Sequence, residues 1–228
     1  MKRKGRGKDS RMIYVIGDSH VSALSGRNAV QESFPVEIGE GVAGIRTIRL
    51  GAVLAYNLVS LETRNKGRQK LFNVLRLLPA GSRVVLLFGE IDCRAHLIKQ
   101  AREQDRPLDT IVRNCVGRYV RVIREVKGLG FRVGILAPFA SSWDTVDPSI
   151  EFPCFGTCVE RNAVTRMFTE ELNKKCERLG IPVISILDAL TDRAGNTRRR
   201  FYMDGFHLST RALPLLLPRL EAFRNGKR

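Results

Sequence analysis

Four short apolar runs, each followed by a turn residue, constrain the fold of this chain more than any other feature of its sequence. The runs cover residues 12–16, 83–88, 131–136 and 182–187. They are rich in β-branched residues and do not alternate strictly with polar ones, which is typical of strands covered on both faces. The sequence therefore predicts a parallel sheet buried between two layers.

Segments with the helical spacing of apolar residues lie between these strands. The longest stripe runs from Ile111 to Val126, and another runs from Val159 to Cys176. Shorter helices are predicted over residues 52–61, 70–78 and 210–223. Strands and helices that alternate in this way, joined by right-handed crossovers, form a three-layer α/β/α domain with a doubly wound parallel sheet.

A length of 228 residues suits one such domain over residues 12–228, preceded by a flexible basic tail at residues 1–11. No run approaches about 18 apolar residues, so no membrane span is expected, and no secretion signal follows the tail. The five cysteines are odd in number and scattered, which favours a reducing compartment over a disulfide framework. A cytoplasmic location is therefore expected.

The charge of the chain is strongly positive. Lysine and arginine number 39 against 23 aspartates and glutamates, so the formal net charge is +16. Such a charge attracts polyanions, including nucleic acid and acidic glycan. The basic residues are nevertheless spread along the chain, with dense clusters only at residues 2–11 and 198–200, and aromatic residues do not interleave with them. A generally basic surface is favoured over a dedicated nucleic-acid site.

Polar residues collect next to the predicted strands, where the functional groups of such sheets gather. The three motifs are Gly17-Asp18-Ser19-His20, Gly89-Glu90-Ile91-Asp92-Cys93-Arg94 and Asp204-Gly205-Phe206-His207. A serine hydroxyl becomes a nucleophile beside a base that takes its proton, and an imidazole titrates near neutral pH. Alone, Ser19 would be interpreted as a turn or N-cap residue. Together, the motifs predict Ser19 as nucleophile, His207 as base and Asp204 as the group that orients the imidazole.

The first and last of these motifs resemble the Gly-Asp-Ser and Asp-x-x-His blocks of the SGNH, or GDSL, hydrolase superfamily. The resemblance spans nearly the whole domain, because the two blocks lie near its opposite ends. It implies a flavodoxin-like α/β/α fold and an esterase with Ser19, Asp204 and His207 as catalytic triad, without a cofactor. It also implies an oxyanion hole made by the amides of Ser19 and a second-block glycine, which is matched by Gly51 or, in competition, by Gly44.

The third block departs from the family pattern Gly-x-Asn-Asp. Ile91 occupies the asparagine position and cannot donate a hydrogen bond. Loss of one oxyanion donor costs about 100- to 1,000-fold in rate. Three explanations are open. Another donor replaces the asparagine, with Arg94, His20 and Asn57 as candidates; the enzyme is slow or suited to activated esters; or the fold has lost catalysis and kept binding.

Candidate substrate-binding residues follow from their place in these blocks. They are Asp18, His20, Asn57, Glu90, Asp92 and Arg94. For Arg94, two interpretations have equal weight: it forms a salt bridge with Glu90 or Asp92, or it faces the crevice and binds an anionic group or the oxyanion. His96 is expected at the surface of the following helix, and the patternless loop over residues 138–159, which holds Trp143, is expected to form a lid or substrate wall.

No metal site or cofactor is predicted. Cys154 and Cys158 have no nearby histidine to complete a zinc site. The stretch Gly39-Glu40-Gly41-Val42-Ala43-Gly44 spells G-x-G-x-x-G, but it lacks both a preceding strand and the following acid of a dinucleotide-binding loop. It is interpreted as a chance match in a flexible loop.

The substrate follows from a narrower likeness. Residues 89–94, together with Leu50-Gly51 and Ala55-Tyr56-Asn57, resemble a subgroup of bacterial SGNH-like proteins related to carbohydrate-active esterases. The resemblance predicts hydrolysis of an O-acyl ester, such as an O-acetyl group on a carbohydrate or another small polar molecule. The alternatives are an O-acyltransferase, in which a sugar hydroxyl resolves the acyl-enzyme, and an inactive module that binds polyanions. The sequence does not predict an oligomeric state.

Overall fold

One sheet organises the computed structural model, which describes residues 12–35, 39–42, 44–146 and 152–226. Within these residues the strands are β1 (Ile13–Gly17), β2 (Gly39–Glu40), β3 (Ile45–Arg49), β4 (Arg83–Leu87), β5 (Arg132–Leu136) and β6 (Val183–Ile184). The sheet order is β2-β3-β1-β4-β5-β6, and only the edge pair β2–β3 is antiparallel. Without β2, the parallel strands follow the flavodoxin-like order 2-1-3-4-5. The predicted tail at residues 1–11 lies outside the described residues.

Helices connect the strands by crossovers. The α-helices of the described ranges are α1 (Gly67–Leu77), α2 (Leu97–Glu103), α3 (Leu108–Gly128), α4 (Cys158–Glu177), α5 (Leu187–Leu190) and α6 (Leu213–Arg224). Shorter 3-10 segments cover Ser19–Leu24, Tyr56–Val59, Arg199–Phe201 and Thr210–Ala212, and a π-helical turn covers Asp92–His96. None of the helices in these ranges combines the length and the apolar character that crossing a bilayer requires.

Both faces of the sheet are buried. On β1, Ile13 and Val15 point to a core that includes the Ser19–Leu24 segment and α6, whereas Tyr14 and Ile16 point to a core built with α1, α3 and α4. Successive strand residues face opposite sides of a sheet, so a strand that is apolar throughout needs cover on both. The predicted three-layer α/β/α architecture is therefore confirmed.

Several predicted elements differ from the observed ones. Strand β3 was not predicted, since Arg46, Thr47 and Arg49 interrupt its apolar residues. The polar side chain of Thr47 can nevertheless be buried, because its hydroxyl donates a hydrogen bond to Gln31 Oε1 at 2.6 Å. The helix expected after the third block is α2, which begins at Leu97, directly after His96. The last predicted strand is shorter than expected, because only Val183–Ile184 pairs with β5.

The predicted helix over residues 52–61 is wrong. Only the 3-10 turn Tyr56–Val59 forms there. The amides of Ala55 and Tyr56 donate instead to the Asp92 carboxylate, at 2.8 and 3.1 Å. A backbone amide that satisfies a buried carboxylate is not available to a helical hydrogen bond. The contacts with Asp92 of the third block, rather than the local spacing of apolar residues, therefore determine the conformation of this loop.

Candidate active site

The nucleophile turn begins where β1 ends. At Gly17 the chain passes so close to β4 that a Cβ atom would lie 2.1 Å from the carbonyl oxygen of Leu87. The Asp18 carboxylate then caps the 3-10 segment by accepting a hydrogen bond from the His20 amide at 2.9 Å. Asp18 and His20 are buried, whereas Ser19 between them stays partly exposed. The turn thus leaves Ser19 partly exposed between two buried residues.

A hairpin carries the other two predicted catalytic residues. It is closed by the bridge between Tyr202 and Leu208. Asp204 Oδ1 accepts hydrogen bonds from the amides of Phe206 and His207, both at 2.6 Å, and Asp204 Oδ2 lies 2.8 Å from His207 Nδ1. The Asp-x-x-His spacing therefore forms a turn in which one carboxylate fixes both the backbone and the imidazole.

The structure brings the serine and the histidine into direct contact. Ser19 Oγ and His207 Nε2 are 2.9 Å apart, although 188 positions separate them in the sequence. Because His207 Nδ1 faces a carboxylate, the proton of a neutral imidazole belongs on Nδ1, and Nε2 accepts from the serine hydroxyl. The arrangement can take a proton from Ser19.

The ionised state of Asp204 is maintained by its hydrogen bonds. Burial raises the pKa of this carboxyl, but the hydrogen bonds from the His207 ring and from the amides of His207 and Phe206 outweigh it and lower the pKa to about 2. Asp204 is therefore an anion at neutral pH.

Two backbone amides are suited to an oxyanion hole. Ser19 is the first residue of its 3-10 segment, and Gly51, with φ of +97°, follows the end of β3. Neither amide has an acceptor among the described residues. The Leu50 amide, in turn, donates to the Gly17 carbonyl at 2.8 Å, which joins the two turns. Gly44 precedes β3 at the opposite edge of the sheet, where its carbonyl accepts from the Ile13 amide, so the topology favours Gly51.

The third block supports the second-block loop. Asp92 is buried, and its carboxylate accepts from the amides of Ala55 and Tyr56. Burial raises the pKa of Asp92 to about 6, against the lowering effect of these hydrogen bonds. Ile91 is partly exposed and offers no donor, and Asn57 lies partly buried in the turn that Asp92 anchors.

Four of the predicted substrate-binding residues form a buried polar array instead. The array consists of Asp18, His20, Glu90 and Arg94, none more than 3% exposed. Arg94 Nε donates to Glu90 Oε1 at 2.8 Å, so the predicted salt bridge forms with Glu90 and not with Asp92. The burial of these four residues, and of Asp92, is at odds with direct contact with a substrate and places them beneath the site.

The sequence did not predict an aromatic wall that lies beside His207. The rings of Phe152 and Phe206 stack with centroids 4.7 Å apart, and the Phe152 ring meets His207 edge-on at 5.9 Å. The Arg94 guanidinium lies 4.9 Å from the Phe206 centroid and donates to the Pro153 carbonyl at 2.5 Å. The loop predicted as a lid or wall thus contributes Phe152 to the site, although residues 147–151 lie outside the described ranges.

Other candidates lie apart from the catalytic pair. His96 is half-buried rather than at the surface and lines a cavity of about 290 Å³ with Tyr56 and Asp92. Cys154 Sγ lies 3.2 Å from Ser142 Oγ, whereas Cys158 Sγ lies 3.4 Å from Thr197 Oγ1. All five cysteines of the chain are free thiols, and the described residues contain no cluster of three or more side chains able to hold a metal ion.

Solved structures share the fold of this chain, whereas no protein-family model and no curated protein sequence matches it. A carbohydrate acetylesterase from Sinorhizobium meliloti is 19% identical, with a TM-score of 0.54 over 93% of this chain and 99% of that one. An acetyl xylan esterase is 15% identical, with a TM-score of 0.52 over 92% and 98% of the two chains. Phospholipase A1 from Streptomyces albidoflavus NA297 is 13% identical, with a TM-score of 0.51 over 92% and 98%.

These likenesses define the class of fold. The chain shares its α/β/α fold with these two esterases and this phospholipase, which confirms the fold that the first and last blocks predict. A fold hosts more than one function, so the activity must be argued from the residues of the site.

Proposed function

We propose that this chain is a serine esterase that cleaves O-acyl esters with Ser19 as nucleophile, His207 as general base and Asp204 as its orienting group. The observation that carries the proposal is the 2.9 Å contact between Ser19 Oγ and His207 Nε2. It completes a hydrogen-bonded line from a partly exposed hydroxyl to an ionised carboxylate. This is the arrangement that activates a serine for attack on a carbonyl.

The proposed reaction has an acylation stage and a deacylation stage. As Ser19 Oγ attacks the ester carbonyl carbon, its proton passes to His207 Nε2, and Asp204 stabilises the imidazolium that forms. The amides of Ser19 and Gly51 donate to the oxyanion of the tetrahedral intermediate. The imidazolium then gives its proton to the departing alkoxide, which leaves as an alcohol. Water, deprotonated by His207, attacks the acyl-serine. The acyl–oxygen bond to Ser19 then breaks, the imidazolium returns its proton to Ser19 Oγ, and a carboxylic acid is released.

The oxyanion hole of this mechanism contains two donors. The third donor of the family pattern, an asparagine side chain, is absent because Ile91 occupies its position. The buried Arg94 does not supply a third donor, because its guanidinium is held by Glu90, the Pro153 carbonyl and the Phe206 ring. One missing donor corresponds to a rate about 100- to 1,000-fold lower. We therefore expect higher turnover of esters with good leaving groups than of unactivated esters.

The substrate class we propose is an O-acyl group, such as O-acetyl, on a carbohydrate or another small polar molecule. The resemblance of residues 89–94 to a glycan-related subgroup supports it, as do the names of the carbohydrate acetylesterase and acetyl xylan esterase that share the fold. The phospholipase with the same fold shows that architecture alone does not select the ester.

The test compares turnover of p-nitrophenyl acetate by the wild type and by Ser19→Ala, with Ser25→Ala as matched control. Ser25 is a partly exposed serine directly after the same 3-10 segment. We expect activity to be lost in Ser19→Ala and kept in Ser25→Ala. A fluorophosphonate probe should also label Ser19, and His207→Ala should abolish the labelling. Equal turnover by wild type and Ser19→Ala, without labelling, would contradict the proposal.

The same experiments separate the alternatives. The combination of Ile91 and the +16 charge favours an inactive polyanion-binding module as the second candidate. That module would bind acidic glycan or nucleic acid in a salt-sensitive way and would leave Ser19 unlabelled. An acyltransferase would label at Ser19 but transfer the acyl group to an added sugar acceptor, which product analysis detects.

A further inference from the structure

The buried array lies directly under the proposed catalytic pair. His20 is its centre: Nδ1 lies 2.9 Å from Asp18 Oδ1, and Nε2 lies 3.6 Å from Glu90 Oε2. Glu90 in turn pairs with Arg94. Nothing in the proposed reaction uses these groups, yet burying four ionisable side chains is costly unless their charges are paired.

The charges of the array balance only when His20 is protonated. Asp18 and Glu90 then supply two negative charges, and His20 and Arg94 supply two positive ones. Burial lowers the pKa of His20 and so does Arg94, but the charges of Asp18 and Glu90, with the hydrogen bond to Asp18, raise it to about 8. His20 is therefore an imidazolium at neutral pH, although it is 2% exposed.

The array touches each part of the site. His20 follows Ser19 in the nucleophile turn, and its ring centroid lies 5.3 Å from that of His207. Arg94 holds the aromatic wall through Phe206 and through the Pro153 carbonyl. On its remaining side, His20 meets the edge of Phe139, at 6.1 Å, in the loop after β5. The charged or titratable groups around His20 are thus Asp18, Glu90, Arg94 and His207.

We propose that His20 is a positioning residue, which as the buried cation of this array keeps the neighbouring His207 in its neutral, proton-accepting form and fixes the nucleophile turn against the base. The inference rests on the proposed esterase function. A positive charge beneath His207 disfavours a second one on its ring, since like charges at this distance oppose protonation. His20 itself touches no substrate, because it is buried.

Two single substitutions should differ in their effect on His207. His20→Gln leaves the array with a net charge of −1, which favours protonated His207, so the acidic limb of the kcat/KM profile should move up by about 1 pH unit. Glu90→Gln removes one of the two carboxylates that raise the pKa of His20. His20 then gives up its proton at lower pH and the array returns to neutrality, so the limb should move less than in His20→Gln. In the double variant the charges balance again, and the limb should return close to its wild-type position.

The experiment measures the pH dependence of p-nitrophenyl acetate turnover and of fluorophosphonate labelling for the wild type, both single variants and the double variant. His96→Gln is the matched control, since His96 lies outside the array and the site. We expect the effects to fall on kcat rather than KM. A structural role alone would lower activity in both single variants without the larger upward shift in His20→Gln, and that outcome, or unchanged profiles, would overturn the proposal.

A second measurement separates this proposal from the esterase proposal. The chain has three histidines, so NMR titration of the imidazoles can be assigned with the His20→Gln and His96→Gln variants. An upward shift of the His207 titration midpoint in His20→Gln supports the array even without turnover, and no shift contradicts it. If His20→Gln does not fold, the same upward shift in His20→Asn decides in its place. Failure of Ser19 labelling in the wild type would count against the esterase proposal alone.

Discussion

The Leu50 amide donates to the Gly17 carbonyl at 2.8 Å, and this bond holds the second-block loop against the nucleophile turn. It extends the pairing of β3 with β1 by one residue beyond the strands. The amides of Ser19 and Gly51 each lie within two residues of this bond, so their relative position depends on the sheet rather than on flexible loops. Sites built from such rigid elements hold their geometry well.

Gly51→Ala should reduce kcat by about 10- to 100-fold. The φ of +97° at Gly51 is unfavourable for an alanine, so the substitution shifts the amide that we propose as an oxyanion donor. Gly81→Ala is the control, because Gly81 has φ of +75° with no heavy atom near an added Cβ. Both variants should lose stability to a similar degree, and only Gly51→Ala should lose turnover. Equal activity of the two variants would exclude Gly51 from the hole.

Ile91→Asn should raise kcat by about 10- to 100-fold on p-nitrophenyl acetate. The substitution restores the family residue at the third-block position and, with it, a side-chain donor for the oxyanion. Ile91→Leu, which changes shape without adding a donor, should leave kcat within about twofold. A gain in both variants would indicate a change of packing rather than a new hydrogen bond.

Asp204→Asn should lower kcat by about 1,000- to 10,000-fold while the protein stays folded, because an amide no longer selects the Nδ1-protonated imidazole. Asp192→Asn is a suitable control: Asp192 also accepts hydrogen bonds from two backbone amides of its own turn, those of Ala194 and Asn196. Steady-state kinetics with circular dichroism spectra of both variants checks this prediction. Comparable kinetic losses in both would point to disturbed turns.

The melting temperature of the wild type should decline between about pH 6.5 and pH 8. The pKa of His20 is raised from 6.5 to about 8 in the folded protein, so its stabilising charge is fully present below pH 6.5 and is lost as the pH rises through 8. His20→Gln should lack this decline. His96→Gln should keep it, since burial, with the charges of Lys99 and Arg94, lowers the pKa of His96 and moves its contribution to lower pH. Scanning calorimetry between pH 6.5 and about pH 8 measures this decline. An identical decline in His20→Gln would refute its assignment to the charge of His20.

Features encoded by local turns could be predicted from the sequence. Ser19 directly follows a strand and its glycine, and Asp204 and His207 occupy one hairpin, so their chemistry was visible as motifs. Features that depend on distant contacts could not be predicted. The local sequence around Ala55 and Tyr56 predicts a helix, but their amides donate hydrogen bonds to Asp92 instead. Phe152, which contacts the His207 ring, lies in a loop whose sequence has no pattern.

The position of β1 in the sheet has a consequence for biosynthesis. The strand that carries the nucleophile is made before β3 and β4, its two neighbours in the sheet, and the hairpin that carries the base is made more than 180 residues later. A nascent chain that has already built most of its sheet still holds an unactivated serine. Acquisition of activity during translation would thus report the docking of the hairpin that carries His207, and a ribosome-stalled chain lacking that hairpin should remain unreactive towards acylating probes.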